Sequence, residues 1–401
     1  MTAAFICDAV RTPIGRYGGS LASVRADDLG ALPMQALLSR NADLDPSSVD
    51  EVFYGCANQS GEDNRNVARM SLLLAGLPVT VPGVTLNRLC ASGLEAVGAA
   101  ARAIGTGEMS LAIAGGVESM SRAPFVMGKG MSPFDRSQKL EDTTMGWRFI
   151  NPALDQLYGT ETMPRTGENV AVAYGVSRDV QDAFALRSQQ RAVAAQQSGY
   201  FNEEIIAVPI RGRKGEMHEV RVDEHPRADS SIEGLQKLKP LFGPEGTVTA
   251  GNASGINDGA AAMFIASEAA AKANGLTPRA RILGLASAGV EPRVMGIGPV
   301  PATRKLLERL GLRIEDFDAI ELNEAFASQS IAVIRALGLS EDASHINANG
   351  GAIALGHPLG MSGARLAMTL THQLEKIGGR RGLATLCVGV GMGVALAIER
   401  V

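Results

Sequence analysis

The stretch TLNRLCASGLEAVG, residues 85–98, joins a short apolar run to a run of small residues, and a cysteine stands at the junction. The alanine-rich residues that follow predict a helix beginning next to Cys90. Free backbone N–H groups and the helix dipole at such a start stabilise a thiolate. A cysteine beside apolar residues is more often a small hydrophobic residue of the core. On this stretch alone, both interpretations of Cys90 remain open.

The same alternation of short apolar runs and longer Ala- and Leu-rich segments extends in both directions from this stretch. It runs from AAFICDAV (3–10) to LAIAGG (111–116) and returns from RARILGLASAG (279–289) to the C-terminus. This pattern is typical of βα units in a largely parallel sheet covered by helices. With 401 residues, 45% of them hydrophobic, the chain is long enough for a substantial core. We therefore predict two α/β halves.

The two halves align with each other when Asp50 is set against Asp318. Cys90 then lies 40 residues further on in one half, and His357 lies 39 residues further on in the other. An internal duplication would place Cys90 and His357 at equivalent positions, face to face about a pseudo-twofold axis. Chance similarity of two βα patterns is the alternative.

Residues 122–251 separate the halves and are richer in charge, Gly, Pro and Ser. Only the segment 168–199 has the periodicity of a helix pair. A solvated insertion and a ligand-binding platform are both consistent with this composition. The predicted division is a first half made of 1–121 with 252–278, a loop domain of 122–251, and a second half of 279–401.

Composition excludes several classes of function. The net charge is -4 with both signs scattered, so no basic stripe for nucleic acid is expected. The N-terminus is acidic by position 8, and no apolar run reaches membrane-spanning length, so a soluble cytoplasmic protein is expected. The four cysteines are far apart and form no CxxC pair, which indicates free thiols and neither a disulfide framework nor a metal site.

Three further residues are candidates for chemistry. Glycines surround His357 in NGGAIALGHPLGMSGARL (349–366), and an imidazole near a thiol can take its proton. In TLCVGVGMG (385–393), Cys387 precedes a glycine-rich turn whose N–H groups could bind an oxyanion. A nucleotide-binding interpretation of that turn is poor, because the residues after it predict a strand. Asn323 ends the apolar run DAIEL, where it could instead cap the next helix.

Six motifs taken together resemble those of the thiolase family, in the family's order and over essentially the whole chain. They are NRLCASGLEA, GGVESMSR, TAGNASGINDGAA, NEAFA, NGGAIALGHPLGMSGAR and CVGVGMG. The resemblance implies the five-layered thiolase fold, α-β-α-β-α, with two duplicated βαβαβαββ halves and an inserted loop domain.

The resemblance also implies catalytic roles. Cys90 would attack the keto carbon of a 3-oxoacyl-CoA, and His357 would activate the Cys90 thiol and donate to a thioester oxyanion. Asn323 would hold a water that completes this oxyanion hole. Cys387 would protonate the departing acetyl-CoA enolate, and the backbone N–H groups of Cys90 and Gly389 would form a second oxyanion hole.

The resemblance implies no permanently bound cofactor, with coenzyme A as co-substrate, and a homotetramer. Met163 and Ser254 would contact pantetheine, Arg227 would lie near the adenosine phosphates, and Met295 would lie near the acyl group. The full set of implied CoA and acyl contacts is Met163, Arg227, Leu235, Phe242, Ala250, Ser254, Met295, Ala325 and Phe326.

Within the family, the segments 134–152 and 59–70 most resemble the enzymes that cleave 3-oxoadipyl-CoA to succinyl-CoA and acetyl-CoA in aromatic degradation. Thr162 stands where acetoacetyl-CoA-specific members carry histidine. The second carboxylate of the implied substrate requires a cation near the acyl pocket. Candidates are Arg65, Arg69, Arg136, Arg148 and Arg165.

Three alternatives remain. The nearest is a general fatty-acid 3-ketoacyl-CoA or acetoacetyl-CoA thiolase, with the same catalytic residues. A decarboxylating ketoacyl synthase would need a second histidine at Asn323 and is disfavoured. A non-catalytic acyl-CoA-binding protein would not need two thiols.

Overall fold

The computed structural model describes residues 2–212 and 214–401. In chain order, the part before residue 122 contains β1 (Ala4–Arg11), β2 (Gly15–Arg16), α1 (Ala26–Arg40), β3 (Glu51–Gly55), α2 (Val67–Leu74), β4 (Gly83–Leu86), α3 (Ser92–Thr106) and β5 (Leu111–Ser119). The middle segment contains β6 (Phe125–Met127), β7 (Leu140–Asp142), α4 (Pro152–Tyr158), α5 (Met163–Ala173), α6 (Arg178–Gln197), β8 (Val208–Arg211), β9 (Met217–Val220) and α7 (Ile232–Gln236). The remainder contains β10 (Asn257–Ser267), α8 (Glu268–Ala273), β11 (Ala280–Gly289), α9 (Pro299–Leu310), β12 (Ala319–Leu322), α10 (Ala327–Ala336), α11 (Ala352–Leu355), α12 (Leu359–Ile377), β13 (Arg381–Val388) and β14 (Met392–Arg400).

Two mixed sheets form the frame. In the first half the strand order is β1-β10-β5-β3-β4, and β3 is parallel to both β4 and β5. In the second half the order is β11-β14-β13-β12, with β12 parallel to β13. A short antiparallel contact between β1 and β11, Phe5 opposite Arg281, joins the two sheets. Each half therefore has a parallel part and an antiparallel part. The expectation of a largely parallel sheet is wrong, because the pairs β1-β10, β10-β5, β11-β14 and β13-β14 are antiparallel.

The duplication is visible in equivalent hydrogen bonds. The Asp50 carboxylate accepts from the backbone N–H of Leu111 at the start of β5 at 3.0 Å. The Asp318 carboxylate accepts from the backbone N–H of Arg381 at the start of β13, also at 3.0 Å. Cys90 stands two residues before α3, and His357 two residues before α12. The predicted register between the halves is thus confirmed.

The second half departs from the predicted βαβαβαββ order in one place. Where the first half has β4, the second has only a single parallel bridge between Ile320 and Ile346. The backbone after Ile346 turns at Asn347, which has a positive φ of 46°, and its side chain bonds to both the N–H and the C=O of Leu322. A side chain at this position completes the hydrogen bonding of β12, which a longer strand would otherwise supply.

Three hydrophobic clusters define five layers. One cluster lies between the sheets around α3 and α12, and each of these helices contacts strands of both halves. A second cluster packs α1 and α2 on the outer face of the first sheet, and a third packs α9 and α10 on the second. The predicted α-β-α-β-α fold is confirmed.

Glycines allow the two central helices to approach closely. A Cβ atom on Gly363 of α12 would lie 2.3 Å from the backbone nitrogen of Leu94 in α3. A Cβ on Gly93 would lie 2.6 Å from the carbonyl oxygen of Gly360. These distances are shorter than the non-bonded contacts that Cβ atoms make in proteins, so larger side chains would push α3 and α12 apart.

The segment between β5 and β10 contains the predicted helix pair, α5 and α6, and two small hairpins, β6-β7 and β8-β9. It also exposes many apolar side chains, including Phe125, Met127, Met131, Phe134, Leu140, Phe149 and Leu157. Among the residues described, no helix has the length and apolar character needed to cross a membrane.

We expect Gly363→Ala to lower the free energy of unfolding by about 2 kcal/mol or more, because its methyl group would overlap the α3 backbone. Gly105→Ala is the matched control. It adds a methyl group to the last turn of α3, where the only neighbour is the Thr2 carbonyl oxygen at 3.8 Å, so stability should stay unchanged or rise by up to about 1 kcal/mol. Urea unfolding at fixed protein concentration measures both. Equal midpoints for the two variants would contradict the close-packing argument.

Candidate active site

Cys90 lies on a sharp corner between β4 and α3. A short 3₁₀ turn, Leu89–Ala91, precedes the helix, and Leu89 has a positive φ of 46°, which is strained for a leucine. The Asn87 side chain accepts from the Leu89 N–H at 2.9 Å, and the Ser92 hydroxyl accepts from the Arg88 N–H at 2.9 Å. Cys90 is half-buried, whereas the other three cysteines are buried. All four are free thiols, as predicted, and this corner leaves Cys90 the most accessible of them.

His357 is held at its backbone and at one ring nitrogen. Its N–H donates to the Asn257 side chain at 2.9 Å, and its Nδ1 lies 2.6 Å from the Ser362 hydroxyl. The Ser362 hydroxyl donates its one proton to the Pro358 carbonyl oxygen at 2.8 Å. The hydroxyl must therefore accept from Nδ1–H, which leaves Nε2 of His357 without a proton and available as a base.

Asn323 reaches this imidazole. Its Nδ2 lies 3.3 Å from His357 Nε2, and the side chain is fully buried. Its Oδ1 has no hydrogen-bond partner among the residues described. The alternative of helix capping is wrong, because Phe326 occupies the N-cap position of α10.

Cys387 and its glycine turn complete the site. Cys387 is buried near the end of β13, and a turn at Gly389–Gly391 leads into β14, the strand that the sequence predicted in place of a nucleotide-binding helix. A Cβ on Gly389 would lie 3.1 Å from the Leu89 side chain, so the two corners touch. The backbone N–H groups of Gly389 and Cys90 both lower the pKa of the Cys90 thiol. Both N–H groups therefore lie beside the sulfur.

The expectation of a stabilised thiolate is wrong for the unliganded site. Burial raises the pKa of Cys90 to about 11, and the two N–H groups offset this only in part. Burial also raises the pKa of Cys387, with a further contribution from nearby Cys90. Burial and then the charge of Arg365 lower the pKa of His357 to about 3. At neutral pH the site therefore holds two thiols and a neutral imidazole.

Glu118 is an organising residue to which the sequence motifs assigned no role. Its buried carboxylate accepts from the backbone N–H groups of Ala57, Asn58 and Gly360 at 2.8 to 3.0 Å. It thereby connects the loop after β3 to the helix that follows His357. Burial raises its pKa to about 7. Only the surrounding fold reveals this role, because Gly360 lies 242 residues away in the chain.

Four of the predicted CoA and acyl contacts gather beside Cys387. Met295, Ala325 and Phe326 form a buried cluster with it, and Met163 packs against that cluster. Ser254 joins it through a hydrogen bond from its N–H to the Ala325 carbonyl oxygen at 2.9 Å.

The remaining predicted CoA contacts lie further out. Arg227 and Ala250 are exposed, and Phe242 is half-buried with the Arg165 guanidinium 3.8 Å above its ring. Leu235 is buried against α6 and packs in the outer core of the second half. The structure therefore does not bring Leu235 into the buried cluster beside Cys387.

The thiols, the imidazole and the backbone N–H groups can provide what acid–base and nucleophilic catalysis need. A thiol can act as nucleophile and a second thiol as acid, a neutral imidazole can act as base, and backbone N–H groups can stabilise an oxyanion. These are the requirements of acyl transfer through a thioester. The sequence model of the thiolase N-terminal domain matches residues 4–269, and that of the thiolase C-terminal domain matches residues 276–400. The chain belongs to the thiolase family.

Individual relatives agree with this assignment. The chain is 70% identical to the beta-ketoadipyl-CoA thiolase of Pseudomonas aeruginosa, and 99% of each chain is covered. It is 62% identical to the 3-oxoadipyl-CoA/3-oxo-5,6-dehydrosuberyl-CoA thiolase of Escherichia coli K12, over 100% of both chains. The solved acetyl-CoA acetyltransferase of Bacillus anthracis superposes with a TM-score of 0.93 at 41% identity, covering 100% of this chain and 99% of that one.

The protonation state can be tested by alkylation. Because the pKa of Cys90 is raised to about 11, we expect its rate of reaction with iodoacetamide to rise about tenfold per pH unit from pH 6 to 9. Cys90→Ser should remove most of the labelling, since the other three thiols are buried and less accessible to the reagent. A rate that levels off near pH 7 would instead indicate a thiolate–imidazolium pair.

Proposed function

We propose that this protein is a 3-oxoacyl-CoA thiolase that cleaves 3-oxoadipyl-CoA with CoA to succinyl-CoA and acetyl-CoA. Three observations carry the chemistry. The Cys90 and Cys387 thiols lie near each other, and Asn323 contacts the His357 imidazole. The Asn323 N–H also donates to the Thr385 carbonyl oxygen at 3.0 Å, two residues before Cys387. The observation that favours the substrate is the full-length similarity to relatives named for 3-oxoadipyl-CoA.

The first half-reaction forms an acyl-enzyme. His357 takes the Cys90 proton at Nε2 as the sulfur attacks the keto carbon, and the resulting alkoxide is stabilised by the N–H groups of Cys90 and Gly389. The bond between the keto carbon and the thioester α-carbon then breaks. The electron pair leaves as the acetyl-CoA enolate, whose oxygen faces His357 and Asn323. The Cys387 thiol protonates the α-carbon, and its raised pKa keeps that proton in place until this step.

The second half-reaction releases the acyl group. Cys387, now a thiolate, takes the proton of an incoming CoA thiol, whose sulfur attacks the thioester carbon on Cys90. The tetrahedral oxyanion again uses the two backbone N–H groups, and Cys90 leaves as a thiolate that recovers its proton from His357. All groups return to their starting states, and ping-pong kinetics follow.

Coenzyme A would approach through the cluster of Met163, Met295, Ala325 and Phe326, which is apolar like the pantetheine arm. The unpartnered Oδ1 of Asn323 supports a bound water in the enolate-binding hole, since an unpaired buried oxygen is costly. We assign loop-domain and oligomerisation roles to residues 122–251. Their exposed apolar side chains support a homotetramer.

Trapping the acyl-enzyme tests the class of reaction. After incubation with acetyl-CoA, mass spectrometry should show an acetyl group on Cys90, and Cys90→Ser should show none. Cys387→Ser should still accept the acetyl group but lose at least about a hundredfold in kcat for cleavage, because no acid remains to protonate the enolate. A wild-type chain that binds acetyl-CoA without acylation would support the non-catalytic alternative.

Substrate preference tests the proposed specificity. The kcat/KM for 3-oxoadipyl-CoA should exceed that for 3-oxohexanoyl-CoA, which has the same chain length without the distal carboxylate, by about tenfold or more. Acetoacetyl-CoA is the short-chain comparison. Comparable values for the first two substrates would favour a general thiolase instead.

A further inference from the structure

Of the five arginines that the sequence offered for the distal carboxylate, three are excluded by their surroundings. Arg69 donates to the carbonyl oxygens of Val79 and Val81 and holds that turn. Arg65 and Arg136 are exposed to solvent, where an ion pair contributes little.

Arg165 and Arg148 are the remaining two. Arg165 stacks on Phe242, a predicted CoA contact, so it belongs to the CoA side of the site. Arg148 lies beside the loop after β3. It is half-buried, and its Nη2 touches only neutral acceptors, the Asn58 carbonyl oxygen and the Ser60 hydroxyl, each at 3.4 Å. In residues 2–212 and 214–401, no carboxylate oxygen lies within 4.0 Å of the Arg148 guanidinium, the limit for an ion pair.

The position of Arg148 relates it to Cys90. The carbonyl oxygen that it touches belongs to the loop after β3, which Glu118 holds in place through the N–H groups of Ala57 and Asn58. The same loop accepts a hydrogen bond from the Asn87 side chain, which in turn accepts from the Leu89 N–H next to Cys90. Arg148 is therefore linked to the turn that carries Cys90 through the loop after β3 and the Asn87 side chain.

Trp147, the residue before Arg148, lies on the Met163 side of the site. The Trp147 indole N–H donates to the Glu161 carbonyl oxygen at 3.3 Å, and Trp147 lines a small cleft with Met163 and Val390. Arg293 also lines this cleft, but its guanidinium is paired with the Glu161 carboxylate. Arg148 has no such carboxylate partner among the residues described, and its Nη2 contacts only the Asn58 carbonyl oxygen and the Ser60 hydroxyl.

The backbone on either side of Trp147 and Arg148 has an unusual conformation that sets the direction of these two side chains. Gly146 and Phe149, which flank Trp147 and Arg148, both have positive φ, of 91° and 50°. A non-glycine residue in this region is strained, and such strain is concentrated at functional turns.

We propose that Arg148 is a specificity-determining residue whose guanidinium binds the distal carboxylate of a dicarboxylic 3-oxoacyl-CoA. This inference rests on the proposed thiolase function. With CoA on the Met163 and Phe326 side, the acyl chain on Cys90 extends along the loop after β3 toward Arg148. A carboxylate there replaces two long contacts to neutral oxygens with a charge-assisted pair that suits the planar guanidinium.

The test compares Arg148→Met on 3-oxoadipyl-CoA and 3-oxohexanoyl-CoA. We expect kcat/KM for the dicarboxylic substrate to fall by about 10- to 100-fold, and that for 3-oxohexanoyl-CoA to change less than about threefold. Arg148→Lys keeps the charge without the planar fork and should lose an intermediate amount. Arg136→Met, an exposed arginine of the same segment, is the matched control and should leave both values unchanged.

Acetylation of Cys90 by acetyl-CoA shows that each variant is folded. An equal loss for both substrates would assign Arg148 a structural role and overturn the proposal, as would an unchanged selectivity ratio. The proposal would also be overturned if Arg148→Met formed a smaller oligomer and kept the wild-type ratio of kcat/KM for the two substrates, because Arg148 would then pair with a neighbouring subunit. If Arg148→Met does not fold, an unchanged ratio in Arg148→Lys would contradict the assignment. A wild-type enzyme without preference for 3-oxoadipyl-CoA would instead contradict the proposed function, before any variant is measured.

Discussion

The close contact of α3 and α12 is the constraint on which the site depends. These helices cross between the two sheets with backbone against backbone, at Gly93 with Gly360 and at Leu94 with Gly363. Cys90 and His357 each stand two residues before one of these helices. The distance between the helices therefore controls the distance between Cys90 and His357. Glycine at the crossing costs helix propensity, which the burial of a large apolar layer offsets.

Burial explains why the resting site is neutral. Removing charges from water disfavours both the thiolate and the imidazolium, so the pKa of Cys90 rises and that of His357 falls. A neutral pair can transfer a proton during attack, when oxyanion donors are already in place. The Ser362 hydroxyl sets the tautomer that this transfer requires, because it has already donated its own proton to a carbonyl. Proton transfer from Cys90 to His357 would thus need no stable thiolate–imidazolium pair.

Sequence reasoning predicted the fold class, and the reacting residues that it named stay a prediction. The shared offset from Asp50 and Asp318 located Cys90 and His357 at equivalent places, since both aspartates start a strand in the same way. It did not predict the roles of Ser362, Asn257 or Glu118. Asn257 bonds to His357 across 100 residues, and Glu118 to Gly360 across 242, and no local pattern reports such contacts.

By itself, the sequence determined the α/β class, the duplication and the motif order, because periodicity and spacing can be followed along the chain. The roles of the two thiols came from the resemblance of those motifs to the thiolase family and stay predictions. Tertiary structure alone decided the protonation states, the imidazole tautomer and the neutral surroundings of the half-buried Arg148. Each of these depends on how many atoms exclude water from a group and which distant side chain faces it. The raised pKa of Cys90 is the clearest case: its place at a helix start favoured a thiolate, and burial in the assembled fold reversed that preference.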